Sequence, residues 1–134
     1  MSNENLIHNN RCIGYLSQDV INMLKLTLPA GLPIMIGDGN IQHMQDSHPD
    51  DYEAYGAFVE EIIAAPDFVT VNPGDGSIRY IKKISEIVHV GVRASGNGKL
   101  FARTVFKITE EKLQLYASSG KLIDCKTKAP ARLS

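Results

Sequence analysis

Two of the four histidines, His43 and His48, stand five residues apart in the stretch IQHMQDSHPDDYEAY, and imidazole is the side chain whose ordinary pKa suits proton transfer near neutral pH. On one unbroken helix five residues advance about 500°, which leaves the two rings roughly 140° apart and unable to share a ligand. Pro49 argues for a break. It disfavours helical dihedrals at His48 and suits the first turn of a new helix, with Ser47 or His48 as cap and Asp50 and Asp51 complementing the positive helix end. A break at that point would let both imidazoles face one pocket at the mouth of the second helix.

Further along, the chemistry-bearing residues are cations on strand-like runs. In residues 87–94, Val88, Val90 and Val92 share one face, the core side, while Ile87, His89, Gly91 and Arg93 share the other. In residues 100–108, Leu100, Ala102, Thr104, Phe106 and Ile108 alternate with Phe101, Arg103, Val105 and Lys107. If the larger apolar set joins the valines, the opposite face gathers His89, Arg93, Arg103 and Lys107; a register change of one residue brings Thr104 to that side instead. In residues 77–84, Ile78, Tyr80 and Lys82 alternate with Arg79, Ile81 and Lys83, so each face receives at least one cation. Histidines presented from a helix beside a cationic sheet face are what metal-free RNA cleavage asks for. One group removes the ribose 2′ proton, another protonates the leaving 5′ oxygen, and cations hold the phosphate as negative charge builds on it.

Metal binding competes for the same histidines. Zinc pairs on a helix usually come at i and i+4 with a recognisable third ligand. Here the interval is five and no cysteine is near, but Asp38, Asp46 and Asp50 offer oxygen ligands, which keeps a metal-dependent phosphodiesterase open. No Gly-rich phosphate loop of the Walker or dinucleotide type occurs, because the glycines fall in turns without the strand-loop-helix spacing.

The elements that must position these groups change character at residue 68. Before it, a short extended run at 11–15 precedes a helix over 18–25, for which Ser17 is the N-cap and Val20, Ile21 and Leu24 the apolar stripe. Pro29, Gly31 and Pro33 stop that helix; 33–36 reads as a brief buried strand, followed by the turn-rich Gly37 to Asn40. A helix over 49–64 carries Tyr52, Tyr55, Val59, Ile62 and Ile63 at three- and four-residue spacing and should rest on the sheet through them. After it come strands at 68–71, 77–84, 87–94 and 100–108, joined by the turns at 72–76 and 95–98. Thr109 caps a last short helix to residue 118, with Leu113 and Tyr116 facing in, and Gly120 ends it. The plan is α+β: helices first, then an antiparallel meander.

A chain of 134 residues is the size of one domain. Residues 1–10 are expected to be flexible, 11–122 to form the domain, and 123–134 to be a basic, fraying tail. Cys12 and Cys125 have no CxxC spacing and are expected to be reduced thiols. The polar start MSNENLIHNN has no apolar core and no run reaches membrane-span length, so a soluble, cytoplasmic protein without a membrane partner is expected. Net charge is −1, but residues 1–75 hold two basic and eleven acidic side chains, a balance of −9, whereas residues 76–134 hold twelve and four, a balance of +8. That asymmetry suits a phosphate-binding face beside an acidic helical half, or two halves that attract each other within the fold.

The succession IQHMQDSH, Tyr52 and Tyr55, IIAAPDFV, SIRYIKKI, VHVGVRAS, LFARTVFKI and a final segment over 112–122 resembles the phage-associated nuclease domains of the barnase, EndoU, colicin and RelE superfamily, the BECR fold, across residues 34–122. The resemblance implies N-terminal helices followed by a four-stranded antiparallel sheet with a short C-terminal helix. It also implies a metal-independent endoribonuclease without a cofactor, with His43, His48, Lys82, Arg103 and Thr104 at the catalytic positions. Arg79, His89, Arg93 and Lys107 on the strands and Tyr116 on the last helix are expected to bind the substrate. The expectation is an RNA-cleaving toxin or effector of a phage or mobile element, acting on tRNA or other structured RNA and paired with a neutralising partner protein. The alternatives are a non-catalytic nucleic-acid or protein-binding module, or an accessory protein whose acidic half docks a basic partner.

Overall fold

A computed structural model describes residues 9–133. His8 and the rest of residues 1–8, most of the segment expected to be flexible, lie outside the described residues. Eight strands form one sheet: β1 (Arg11–Tyr15), β2 (Pro33–Ile36), β3 (Phe68–Val71), β4 (Ile78–Lys83), β5 (Ile87–Ala94), β6 (Leu100–Ile108), β7 (Ile123–Asp124) and β8 (Ala129–Pro130). Their order across the sheet is β1-β2-β6-β5-β4-β3-β7-β8. The meander β3 to β6 is the four-stranded antiparallel core that the sequence predicts. The expectation of four strands in all is corrected at both edges. β1 and β2 pair with each other and dock on β6, β2 running parallel to it through Ile34 and Met35. At the other edge the basic tail adds β7 to β3, and β8 to β7. These outer strands are two to five residues long, too short to show a period, and what defines them is pairing with distant segments.

The helices are not gathered at the N-terminal end either, since β1 precedes the first and β2 separates it from the next. Helix α1 (Gln18–Leu24) starts where Ser17 accepts the Val20 N–H at 3.2 Å. Helix α2 (Asp38–Ser47) ends, and α3 (Pro49–Tyr55) begins, at His48, whose φ of −141° and ψ of 70° are non-helical. Pro49 thus breaks the helix where its chemistry requires. The helix expected over 49–64 is broken once more, by a 3₁₀ turn at Gly56–Phe58, before α4 (Val59–Ala64) resumes. Tyr52 lies against Gly56 so closely that a Cβ there would meet its ring at 2.8 Å. Helix α5 (Glu110–Ser118) opens with Thr109 accepting the Lys112 N–H at 3.0 Å.

Both sheet faces are used. Val88, Val90 and Val92 of β5, with Ile78 and Tyr80 of β4, pack under Met44, Tyr55, Val59, Ile62 and Ile63 of the helices. On the opposite face α5 brings Leu113 onto Ile81 and Ile87 beside Leu122, a smaller second cluster. Strand β5 is therefore buried from Ile87 to Val92. Beyond the second cluster the polar residues of β4, β5 and β6 line an open depression on this face. No helix among the described residues is long and apolar enough to cross a membrane.

Candidate active site

The pairing of β5 with β6 decides which side chains reach the depression. His89 stands opposite Phe106, Val90 opposite Val105 and Gly91 opposite Thr104, but Val92 stands opposite Ala102, so Arg103 has no partner. One extra residue on β6 is a β-bulge, which re-aims the side chains around it. Below the bulge Val105 and Lys107 fall on the valine face; above it Ala102 and Leu100 do. Arg103 and Thr104, adjacent in sequence, both line the same cleft. Regular alternation would admit only one of them.

The cleft measures about 310 Å³. Its floor is Gly91, where a Cβ would sit 2.6 Å from Thr104 Oγ1. Around that floor stand Arg79 of β4, Arg93 of β5, and Arg103 and Thr104 of β6. His43 enters from α2, Tyr116 from α5, and Asn72, Asp75 and Ser77 from the turn between β3 and β4. The Arg79 guanidinium lies 4.5 Å from the centre of the Tyr116 ring, a cation-π contact that joins α5 to the cleft wall. Asp75 accepts the Ser77 N–H at 2.9 Å. That backbone bond and one from the Ser77 side chain hold its carboxyl below the usual range, with Arg93 and Arg79 adding to the effect. Three guanidinium groups facing one carboxylate leave the cleft positive.

His89 lies at the inner end, only 6% exposed, with its Nδ1 unpartnered. Burial, then the nearby Arg79 and His48, push its pKa down to about 3, so the ring is neutral at pH 7. It packs against Phe106 with ring centroids 4.4 Å apart, and His48 covers the same phenyl ring at 4.7 Å. Phe106 thus contacts both imidazoles.

Seven residues expected at the site come together here: His43, Arg79, His89, Arg93, Arg103, Thr104 and Tyr116. Three do not line the cleft. His48, at the non-helical junction of α2 and α3, packs on Phe106 of β6 and does not line the cleft. Lys82 stands opposite Val88 on the helix-covered face, where Nζ donates to the Ala65 carbonyl oxygen at 2.7 Å. Lys107, also opposite Val88, lies on that face with Nζ 3.5 Å from Glu86, and its N–H donates to Asp51 of α3. Asp38, Asp46 and Asp50 do not assemble with the histidines: among the described residues no three His, Cys, Asp or Glu side chains come close enough to hold a metal ion.

Sequence reading missed Gly91, Phe106 and the turn residues Asn72, Asp75 and Ser77. Gly91 carried a signal, since a glycine inside a strand often marks a close approach. The turn residues carried none beyond their turn chemistry.

Comparison with known proteins matches residues 11–114 to the phage-Barnase-EndoU-ColicinE5/D-RelE like nuclease3 family model. That span holds every cleft residue except Tyr116. No curated protein and no solved structure matches. With most of its length, from β1 into α5, and all but one of its cleft residues inside the match, the chain belongs to the phage-Barnase-EndoU-ColicinE5/D-RelE like nuclease family.

Proposed function

We propose that the cleft cleaves RNA without a metal ion. The observation that carries this reading is the convergence of three guanidinium groups, Arg79, Arg93 and Arg103, with the His43 imidazole over a floor left open by Gly91. A phosphodiester seated there meets cations supplied by the chain itself, which offset the charge that builds on phosphorus during in-line attack. His43 is the residue to take the ribose 2′ proton. The 2′ oxygen then bonds to phosphorus, the bond from phosphorus to the 5′ oxygen breaks, the leaving oxygen takes up a proton from water, and His43 returns its proton to solvent before the next turnover. The products are a 2′,3′-cyclic phosphate and a 5′-hydroxyl end. Thr104 Oγ1, beside the floor, is placed to hydrogen-bond a phosphate oxygen. In a cell this activity would be that of a phage or mobile-element toxin acting on tRNA or other structured RNA, and a neutralising protein would cover the cleft.

A second reading, nucleic-acid binding without turnover, draws on the position of His48. With His48 outside the cleft lining and His89 held neutral, the cleft lacks a second, protonated imidazole for the leaving oxygen.

The separating experiment incubates purified protein with mixed RNA in EDTA. Cleavage should persist, leave cyclic phosphate ends, and fail where the cleaved position is 2′-deoxy. In His43→Ala the rate should fall about 10²- to 10⁴-fold with RNA affinity retained. Activity that vanishes with chelator and returns with a divalent ion would replace this mechanism by a metal-dependent one. Binding without cleavage under any condition would favour the second reading.

A further inference from the structure

A second cavity, of about 510 Å³, lies between the end of α1, strand β3 and the β7–β8 hairpin, and shares no lining residue with the cleft. Half-buried Met23, Leu24, Val71 and Ile123 give it an apolar floor. Exposed Lys25, Lys121 and Lys128 give it a cationic rim. Among the described residues, Lys25 and Lys128 are the two non-glycine residues with positive φ, at 55° and 59°. Both occupy positions that glycine fills most easily. Lys25 is the left-handed cap of α1, its N–H donating to the Ile21 carbonyl oxygen, and Lys128 closes the β7–β8 turn by donating to that of Asp124 at 2.7 Å. A lysine held in that conformation is strained, and strained backbone persists most often where the side chain has a task. What lysine supplies there and glycine cannot is charge. The Lys128 ammonium lies 3.4 Å from Asp19, a pair more than half exposed on both sides and readily exchanged for a phosphate. Lys25 and Lys121 have no ion pair among the described residues.

We propose that this cavity is a second nucleotide site, which holds a part of the RNA strand away from the cleaved bond, with its phosphate on the lysines and its base on the apolar floor. The inference rests on the RNA-cleaving reading above. Charge and position support it: the three lysines offer phosphate contacts, and the two sites meet at the end of β3, where Val71 lines the cavity from the helix-covered face and Asn72, the next residue, lines the cleft on the other. A strand that passes around the turn at 72–76 would reach both, whereas a dinucleotide would not. Lys121, Lys128 and the hairpin lie outside the residues matched to the family.

The test uses Lys25→Gly/Lys128→Gly, whose glycines fit the positive φ and preserve folding. Affinity for a single-stranded RNA of about 12 nucleotides is measured against salt. Loss of two phosphate contacts should weaken binding and reduce the slope of log K against log salt by about 1.4, since each contact on a single strand contributes about 0.7. Lys121→Ala alone should reduce it by about 0.7. The melting temperature should stay level or rise, and cleavage of a dinucleotide, which fills only the cleft, should be unchanged. An unaltered slope with the longer RNA, or an equal loss on dinucleotide and longer RNA, would overturn the second site. If the native protein cleaves the dinucleotide, such a failure belongs to this inference alone. A native protein that neither binds nor cleaves RNA removes both readings.

Discussion

Replacing Gly91 by alanine sets two known effects against each other at the floor of the cleft. A glycine inside a strand is roughly 0.5–1 kcal/mol worse than alanine, so on backbone grounds the substitution should stabilise. The new methyl, however, would sit 2.6 Å from Thr104 Oγ1, about 1 Å inside the optimum for non-bonded atoms. Thr104 is β-branched and stiff at χ1, and its neighbour Val105 is fully buried. The overlap must therefore be relieved by turning the hydroxyl aside or by parting β5 from β6, and overpacking of this kind costs about 1–3 kcal/mol. The clash outweighs the backbone gain, for a net loss on the order of 1 kcal/mol, read from the midpoint of denaturant unfolding at unchanged slope. Cleavage should fall about 10²-fold, because a displacement near 1 Å at the reacting centre has that effect. In a Thr104→Ala background the clashing oxygen is absent, and Gly91→Ala should then be neutral or stabilising. The difference between backgrounds measures the coupling of the two residues. Equal stabilisation in both backgrounds would refute the reasoning and make Gly91 an ordinary weak point in a strand.

Ile62 is fully buried among the helices and the sheet, so Ile62→Ala should lower stability by about 2–5 kcal/mol in chemical denaturation; an unchanged midpoint would mean the helix rests on another face. Lys82→Met removes the hydrogen bond to the Ala65 carbonyl oxygen at the end of α4 and should lower stability by about 1 kcal/mol while leaving RNA cleavage intact. A large loss of cleavage with native stability would return Lys82 to the chemistry. The His89 pKa of about 3 lies below the ordinary 6.5. Between those two values the unfolded chain takes up a proton that the folded chain refuses, so its contribution is complete above about pH 6.5 and is lost as pH falls, by roughly 1 kcal/mol per pH unit. His89→Phe should flatten this acid-side decline in unfolding experiments, and an unaltered pH profile would assign the decline to other groups.

Local chemistry was legible in this chain wherever it was sufficient to define structure. Ser17, Pro49 and Thr109 start their helices as their side chains dictate, and the runs of β3 to β6 fold where their alternation and turns indicate. Where structure depended on a distant partner it was not. The runs of β1 and β2 were legible but their pairing and their docking on β6 were not, and β7 and β8 exist because each finds an edge to pair with. Lys82 is instructive in a different way. Its own strand placed it with Ile78 and Tyr80, two buried apolar residues, and therefore on the helix side, opposite Arg79. Alternation within the strand thus sets Lys82 on the face away from the cleft.

The side of Arg103 and Thr104 was the harder question, because a regular strand offers one or the other and the cleft uses both. The apolar pattern of β6 nevertheless contains the solution. Val105 must face the valines, since it stands opposite Val90 and is fully buried; Ala102 and Leu100 must also face them, opposite Val92 and Ala94. Leu100 and Ala102 are two apart, as period 2 requires, but Ala102 and Val105 are three apart. No unbroken strand can turn all three inward. One residue has to be added between Ala102 and Val105, and only Arg103 and Thr104 stand there. The bulge is thus demanded by the core, and its consequence is that a guanidinium and a hydroxyl from adjacent residues meet over the Gly91 floor. A variant that deletes one of the two and restores strict alternation should fold with Leu100, Ala102 and the valine of β6 still buried. It should bind RNA less tightly and lose cleavage together with the missing side chain. Full activity in such a deletion would show that the bulge serves packing alone.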